Sequence, residues 1–377
     1  MKNIAVFFGG KSCEHDVSVI TGVLTLNSID KTQFAPIPIY VHSNGAWYTG
    51  KNLNDISNYK NLQVNKLTKV TLLQGDSFLY QVRKNKLKKL YEIDCAINCL
   101  HGLNGEDGSL IGALKLSNVP CASPNLFASS FSMDKDFTKI VLSGLNVDKL
   151  PYVRVHKSSF ILKRKTAIKM IEKKFKYPVI IKPANLGSSI GISTAKNEEE
   201  LENALITAFN YDNKVIVEKE LIGFKEINCS AYKSGDVIYL SLCEEPISSS
   251  EILSFSDKYL GSKTGENRKF PADIPIEVAT KIQNITERIY RKCDFLGVIR
   301  IDFILHNNKI YVNEINSVPG SLAYYLHCKT LKEFTSLLTD LIIEGIRQSK
   351  EEKERDYVFK STVLNQDCLK CSKGKML

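Results

Sequence analysis

The chain has 377 residues, 24% charged and 43% hydrophobic, which is ordinary for a globular protein with more than one domain. Its net charge of +10 permits an anionic ligand, but no apolar run reaches the roughly 18–20 residues of a membrane span. The apolar part of the first ten residues is too short for a signal peptide. The ten cysteines stand mostly in apolar contexts, so we expect a reduced, cytoplasmic protein.

The first predicted block, residues 1–122, has the pattern of a parallel α/β layer. Its predicted elements are a strand, a helix and two further strands, at residues 4–8, 17–27, 36–41 and 94–100. The stretch 42–93 is rich in lysine and asparagine and lacks a clear period, so we interpret it as an irregular insertion. Its densest basic cluster, Arg83–Lys89, predicts a solvated face, with a nucleic-acid patch as the alternative.

Two polar, glycine-containing loops follow strands of this first block, at residues 9–16 and 101–108. Ligands of parallel sheets gather at the carboxyl ends of the strands. One such loop is weak support for a binding site, and two in one domain indicate that a ligand binds here.

The second block, residues 123–217, carries residues suited to phosphate. Lys135 stands at the start of a predicted helix, and Lys182 lies near the end of a strand at 179–183. A loop of glycine and serine, 184–193, follows that strand. Glycines allow close approach of phosphate oxygens to backbone N–H groups, and lysines neutralise phosphate charge. The loop lacks the Gly-Lys-Ser/Thr of a P-loop.

The third block, residues 218–348, begins with a strand and a short acidic stretch, 218–221, typical of a hinge that meets an adenosine. A long polar loop at 248–270 is predicted to be a lid. Helical periods are expected at 275–293 and 330–348, followed by a charged tail at 349–377. In the tail, Cys368 and Cys371 have the spacing of a metal or redox pair, but no second pair accompanies them.

A predicted β-hairpin late in the third block carries the sharpest chemical pattern. Asp302 lies on its first strand, while Glu314 and Asn316 share a face of the second. Carboxylate and amide oxygens on adjacent strands suit Mg²⁺, which leaves its other positions to water and phosphate. Arg300 points the same way as Asp302 and is suited to an anion beside the metal. The alternative is a surface hairpin with solvated charges.

Taken in order, these motifs resemble those of the D-alanine–D-alanine ligases, members of the ATP-grasp superfamily. The matching segments are 9–18, 101–108, 133–135, 182–189, 257–259, 300–302 and 313–320. The resemblance covers residues 1 to about 348. It implies a three-domain ATP-grasp architecture, α/β (α+β) in class, with an N-terminal parallel α/β domain. It also implies ATP-dependent formation of D-alanyl phosphate, and then of a dipeptide for peptidoglycan and hence for cell shape.

The resemblance also implies a role for each matching residue at the acyl end. Glu14 would bind the ammonium of the first D-alanine, with Ser188 bonded to Glu14 and Tyr259. His101 would lie near the carboxylate of the acceptor. The oxyanion would be stabilised by Arg300 and by the backbone N–H of Gly320.

At the nucleotide end, the resemblance implies that the ATP phosphates are held by Lys135, Lys182, Ser189 and Lys258. The adenosine would be bound by Glu218, Lys219, Leu221 and Glu226. Asp302, Glu314 and Asn316 would hold Mg²⁺, with Mn²⁺ as a possible substitute. The resemblance further favours a homodimer, with no nucleic-acid or membrane partner.

One position departs from the family pattern. Tyr325 stands where many members have a serine or a similar small hydroxyl residue that helps to bind the acceptor carboxylate. A bulkier tyrosine would reshape the acceptor pocket, whereas Tyr259 argues for an amine acceptor. Two alternatives remain open: a related carboxylate–amine ligase with another acceptor such as D-serine, and a catalytically silent nucleotide-binding protein. A nucleic-acid binder is disfavoured, because aromatic residues do not interleave the lysine clusters.

Overall fold

The structure is a computed structural model that describes residues 1–247 and 268–359. In the N-terminal part, strand β1 (Lys2–Gly9) lies parallel between β2 (Phe34–Val41) and β7 (Cys95–Asn98). Helix α1 (His15–Ser28), of which nine of the 14 residues are buried, packs against β1. The parallel α/β layer expected from the sequence is therefore confirmed, and the loops after β1 and β7 open at the same edge.

The stretch between β2 and β7 is regular, so the expectation of an irregular insertion was wrong. It extends the sheet by four antiparallel strands, β3 (Trp47–Thr49), β4 (Thr68–Leu73), β5 (Asp76–Arg83) and β6 (Lys86–Glu92). Most residues of β6 are exposed, because it forms the edge of the sheet. Lysines at a sheet edge deter pairing with other chains, and they also hide the alternation that would reveal a strand.

Two four-stranded sheets make up most of the remainder. The first contains β8 (Tyr152–His156), β9 (Val179–Pro183), β10 (Ser193–Ala195) and β11 (Lys214–Lys219) in the order β10-β9-β11-β8. The second contains β12 (Lys225–Ser234), β13 (Val237–Leu240), β16 (Ile299–His306) and β17 (Lys309–Asn316) in the order β13-β12-β16-β17. A short ribbon pairs β14 (Glu245–Pro246) with β15 (Arg268–Lys269). The boundary expected between residues 217 and 218 falls inside β11.

Helices cover these sheets. They are α2 (Ser109–Leu116), α3 (Leu126–Met133), α4 (Lys135–Gly144), α5 (Lys157–Leu162), α6 (Arg164–Lys174), α7 (Glu198–Ala208), α8 (Ile276–Lys292), α9 (Tyr324–His327) and α10 (Leu331–Lys353). Helix α10 ends five residues past the expected Gln348, because Glu and Lys favour helix and Arg347 pairs with Glu351 one turn later. Within residues 1–247 and 268–359, no helix is both long and apolar enough to cross a bilayer.

The packing joins distant parts of the chain. Leu337, Leu338 and Leu341 of α10 share a core with β1 and α1. Phe131 of α3 and Leu142 of α4 pack against the sheet of β12 and β16. Helix α10 is therefore packed against the N-terminal layer, and α3 and α4 against the sheet of β12 and β16. The three-domain division at 122 and 217 stays a prediction.

Candidate active site

The β16–β17 hairpin brings the predicted metal ligands together. Asp302 lies opposite Glu314 and Arg300 opposite Asn316 in the antiparallel register. The Asn316 amide nitrogen donates to Asp302 Oδ2 at 3.1 Å, and the Arg300 guanidinium donates to both Asp302 oxygens at 2.7 and 2.8 Å. The register shifts after Asp302, which makes Asn313 an extra residue on β17. Such a bulge changes the direction in which side chains point, and no sequence pattern predicts it.

The donor set on this hairpin fits a hard cation. Two carboxylates and one amide oxygen stand on adjacent strands, and Mg²⁺ accepts such oxygens in place of some of its waters. Elsewhere in the described ranges there is no cluster of three or more His, Cys, Asp or Glu residues arranged for a metal. The third predicted ligand here, Asn316, is an asparagine, so the hairpin is not itself a cluster of that kind.

The two predicted phosphate lysines approach the platform formed by Asp302, Glu314 and Asn316, and they do so from other elements. The Lys135 ammonium at the start of α4 lies 3.5 Å from Glu314 Oε2 and donates to the Leu186 carbonyl at 2.5 Å. The Lys182 ammonium on β9 donates to Asn313 Oδ1 at 3.3 Å. Two cations and two carboxylates therefore line one wall of the cleft.

Behind the phosphate lysines lies a buried ionic triad. The Glu218 carboxylate is fully buried, 2.8 Å from the Lys182 ammonium and 2.5 Å from that of Lys139. Burial alone would raise the pKa of Glu218, but Lys182 and Lys139 outweigh it and lower the pKa to about 2. Burial lowers the pKa of Lys139. Sequence reasoning missed Lys139, although it stands one helical turn after Lys135.

The predicted adenosine residues border a narrow pocket beside the triad. Its lining is largely apolar, as a flat base requires, and comprises Leu150, Ile180, Lys182, Glu218, Lys219, Glu220, Leu221, Phe224 and Ile304. The Lys219 ammonium donates to the Lys176 and Pro178 carbonyls, so its charge is directed at the backbone near β9. Glu226 lies on β12, paired with Ile304 of that lining.

At the other end of the cleft, Glu14 meets Ser188 although they are 174 residues apart. The Ser188 hydroxyl donates to Glu14 Oε1. A Cβ on Gly102 would lie 2.8 Å from Glu14 Oε2, so only glycine fits beside this carboxylate. Ser188 and Ser189 both have left-handed backbones, with φ of 52° and 59°.

The acceptor-side residues form a chain of contacts around Tyr325. Its hydroxyl accepts a hydrogen bond from Arg300 Nη1 at 3.2 Å, while the same guanidinium grips Asp302. The Arg268 guanidinium lies 5.1 Å from the Tyr325 ring centre and pairs with Glu244 at 3.0 Å. Sequence reasoning missed Arg268 and Glu244.

Arg268 belongs to the end of the predicted lid, 248–270. Residues 248–267 of that segment, including Lys258 and Tyr259, lie outside the described residues, as do Cys368 and Cys371. The expectations for these residues stay predictions.

His101 lies beneath the segment that follows β17. Its Nε2 bonds Thr21 Oγ1 at 2.9 Å, and the Ser321 N–H donates to the same hydroxyl at 3.0 Å. Burial lowers the pKa of His101 to about 4, so the ring is neutral. His101 is thus linked through Thr21 to the turn that starts at Gly320, and its place near the acceptor carboxylate stays a prediction.

That turn is strained. The φ angles of Ser321, Leu322 and Ala323 are 51°, 51° and 48°, a left-handed conformation that costs roughly 1–2 kcal/mol per non-glycine residue. Leu322 and Ala323 are buried in the core that includes α1, which offsets the strain. A Cβ added to Gly320 would meet no atom within 4 Å, and the residue is half-buried.

Glu106, to which the sequence assigned no role, lies buried at the same place. Its carboxylate accepts hydrogen bonds from the N–H groups of Gly102 at 3.0 Å and Val318 at 3.2 Å. Burial first, and then the charge of Glu14, raise the pKa of Glu106 to about 8. The 101–108 motif predicted a ligand loop here, but it did not indicate that Glu106 links this loop to the backbone at Val318.

Known proteins resemble this chain along nearly its whole length. Residues 3–124 match the family described as D-ala D-ala ligase N-terminus, and residues 141–344 match D-ala D-ala ligase C-terminus. The D-alanine–D-alanine ligase of Thermosipho melanesiensis is 37% identical over 363 residues, 94% of this chain and 96% of that protein.

Solved structures give the same result. The D-alanine–D-alanine ligase of Helicobacter pylori superposes with a TM-score of 0.73 at 27% identity, over 93% of this chain and 98% of that one. The VanG D-Ala:D-Ser ligase of Enterococcus faecalis gives 0.76 at 26% identity, over 91% and 99%. These neighbours carry the ATP-grasp fold, as expected from the sequence. The chain belongs to the D-alanine–D-alanine ligase family.

Proposed function

We propose that this chain joins two D-alanines to D-alanyl-D-alanine, with ATP converted to ADP and phosphate. The observation that carries the proposal is the approach of two lysines to the hairpin of Asp302, Glu314 and Asn316, where Lys135 meets Glu314 and Lys182 meets the neighbouring Asn313. Family membership supports the same reaction. The product would serve as a precursor of peptidoglycan and thereby maintain cell shape.

In the first step, the carboxylate of one D-alanine attacks the γ-phosphorus of ATP, and ADP leaves. Lys135 and Lys182, together with Ser189 and Lys258, hold the phosphates, and the buried Glu218 fixes the position of the Lys182 ammonium. Glu218, Lys219, Leu221 and Glu226 border the adenosine. Asp302, Glu314 and Asn316 would hold Mg²⁺, or Mn²⁺ in its place, which neutralises phosphate charge when bound.

In the second step, the amine of the acceptor attacks the carbonyl carbon of the acyl phosphate. The C–N bond forms, the C–O bond to phosphate breaks, and the nitrogen loses one proton, which passes to the released phosphate or to solvent. Glu14 binds the ammonium of the first D-alanine, with Ser188 and Tyr259 beside it. Arg300 and the Gly320 N–H stabilise the oxyanion, as donors fixed before the reaction do most effectively.

Tyr325 leaves a second acceptor in consideration. Its hydroxyl bonds Arg300, and its ring lies under Arg268, so the acceptor pocket differs from one built around a small hydroxyl residue. The similarity to a D-Ala:D-Ser ligase favours D-serine as that second candidate. D-alanine remains the proposed acceptor, because the curated relatives at 30–37% identity are named D-alanine–D-alanine ligases.

We also propose a cytoplasmic homodimer. The free cysteines among the described residues, such as Cys95 and Cys99, support a reducing compartment. The dimer rests on family resemblance, and light scattering of the purified chain tests it, since a monomer mass would contradict it.

The decisive experiment supplies the purified chain with ATP, Mg²⁺ and a panel of D- and L-amino acids, and measures phosphate release and product mass. D-alanine alone is expected to give phosphate and D-alanyl-D-alanine in equal amounts. Mixed dipeptide in preference to D-alanyl-D-alanine would move the assignment to the D-serine type. If no D-amino acid supports ATP hydrolysis, the alternative of a catalytically silent nucleotide-binding protein would replace the proposal.

A further inference from the structure

The turn from Gly320 to Ala323, which would supply the oxyanion N–H, has a conformation that its own residues do not favour. Gly320 is followed by three consecutive non-glycine residues in the left-handed conformation, which a free chain avoids. Such strain persists only where surrounding structure imposes it. The groups that impose it here come from the N-terminal part of the chain.

Two side chains make these contacts. Glu106 accepts from the Val318 N–H, 212 residues away, and with its other oxygen from the Gly102 N–H. Thr21, on α1, accepts from the Ser321 N–H, 300 residues away. The residues on both sides of Gly320 are therefore anchored to the loop and helix that carry His101 and Glu14.

A carboxyl group suits this position in a way that the amide of glutamine does not. Both Glu106 oxygens face backbone donors, so both must be acceptors. Glutamine would turn its NH₂ toward one of those donors, since an amide has a single acceptor oxygen. Burial and the nearby charges of Glu14 and Glu314 raise the pKa of Glu106, and its carboxyl group can present both oxygens to these donors in either protonation state.

We infer that Glu106 is a positioning residue for acyl transfer, whose two backbone contacts hold the Gly320 N–H at the site where the oxyanion develops. Thr21 assists from the other side of the turn. The inference rests on the proposed function and adds a residue to it. Because an oxyanion donor acts chiefly in the attack on the acyl phosphate, Glu106 should matter more for that step than for phosphorylation.

The test is Glu106→Gln in the full chain, with the two half-reactions measured separately. Scrambling of ¹⁸O between bridging and non-bridging positions of ATP, with D-alanine present, reports reversible phosphorylation, and dipeptide formation reports the whole sequence. We expect dipeptide kcat to fall about 10- to 100-fold while scrambling and the KM for ATP stay within about twofold. Glu106→Asp, whose shorter side chain is expected to reach only one N–H, should have a dipeptide kcat between those of the wild type and Glu106→Gln.

Asp107→Asn is the matched control, because Asp107 caps the same loop through the N–H groups of Asn104 and Ser109 without touching the turn. It should behave as the wild type. If Glu106→Gln slows scrambling and dipeptide formation equally, or slows neither, the inference is wrong. A wild-type chain that makes no dipeptide would instead overturn the proposed function.

A second variant covers the case in which Glu106→Gln does not fold. Thr21→Val removes the acceptor for the Ser321 N–H and keeps the shape of the side chain. The same selective loss of dipeptide formation is expected. Thr25→Val, one turn along α1, removes a hydroxyl that bonds the Thr21 carbonyl and should not separate the half-reactions. Equal effects of the two threonine variants would overturn the inference.

Discussion

The two ends of the cleft are built on different principles. At the end proposed to bind phosphate, here called the phosphate end, Asp302 and Asn316 are 14 residues apart on one hairpin, and the backbone ladder fixes their spacing. At the acyl end, contacts such as those of Glu14 with Ser188 and of Thr21 with Ser321 join segments 174 and 300 residues apart. The predicted metal ligands of the hairpin keep their spacing wherever the hairpin forms, whereas the lysines that approach them and the contacts at the acyl end depend on how distant parts of the chain pack.

Charge is also arranged differently. At the phosphate end, Glu218 lies between two lysines, and its pKa is lowered. At the acyl end, Glu106 lies near Glu14 and Glu314, and burial together with their charges raises its pKa. Opposite charges stabilise the ionised state at one end, and like charges oppose it at the other. The phosphate end should therefore be vulnerable to charge removal, and the acyl end to pH.

The largest effect is expected from Glu218→Gln. It leaves Lys139 and Lys182 buried together without their counter-ion, which should lower the unfolding free energy by about 3–5 kcal/mol. Urea denaturation measures it. Glu199→Gln, on the exposed start of α7, should change stability by less than ~0.5 kcal/mol. A Glu218→Gln variant as stable as this control would show that the triad is not a stabilising unit.

Next in size is Glu314→Gln at the platform. Loss of one carboxylate ligand should cost at least ~2–3 kcal/mol of transition-state stabilisation, read as kcat/KM at limiting Mg²⁺. The fold should survive, because the hairpin ladder does not involve this side chain. Lys309→Gln, at the exposed start of β17 in the same hairpin, is the control and should keep normal turnover. Near-normal turnover of Glu314→Gln would remove Glu314 from the metal site.

A smaller effect is expected at the acceptor pocket. Tyr325→Ser should change the acceptor KM by about 10-fold and leave the KM for ATP unchanged, because Tyr325 contacts Arg300 and Arg268 and not the phosphate lysines. Tyr325→Phe separates the hydroxyl from the ring and should reproduce only part of the change. Parallel changes in the acceptor and ATP constants would contradict a local role.

The last prediction concerns the pH dependence of stability. The folded state keeps a proton on Glu106 between its usual pKa of 4.5 and about 8, whereas the unfolded state has lost it. Unfolding free energy from this group therefore falls as pH rises through that window. Glu106→Gln cannot titrate, so its stability relative to the wild type should increase from pH 5 to pH 8. A pH-independent difference in denaturation midpoints would show that Glu106 is not shifted.

Local patterns predicted several parts of this site. Strand alternation indicated the hairpin and put Asp302 and Glu314 on it, because neighbouring strands inherit their register from a short turn. The glycine loops after β1 and β7 and the lysines near helix and strand ends were also visible. The stretch 42–93 was misjudged, since exposed edge strands lack the apolar alternation on which such predictions depend.

What the tertiary structure alone decided is the pairing of groups far apart in the chain. The sequence gives no reason for Glu106 to meet Val318, for Thr21 to meet Ser321, or for Lys139 to face Glu218. No sequence pattern predicts the bulge at Asn313 or the left-handed turn after Gly320 either. By itself the sequence determined the kinds of chemistry and the local elements that carry them, because those follow from side-chain type and period. The tertiary structure decided which buried charges share a partner, because burial and long-range packing set both the contacts and the pKa values.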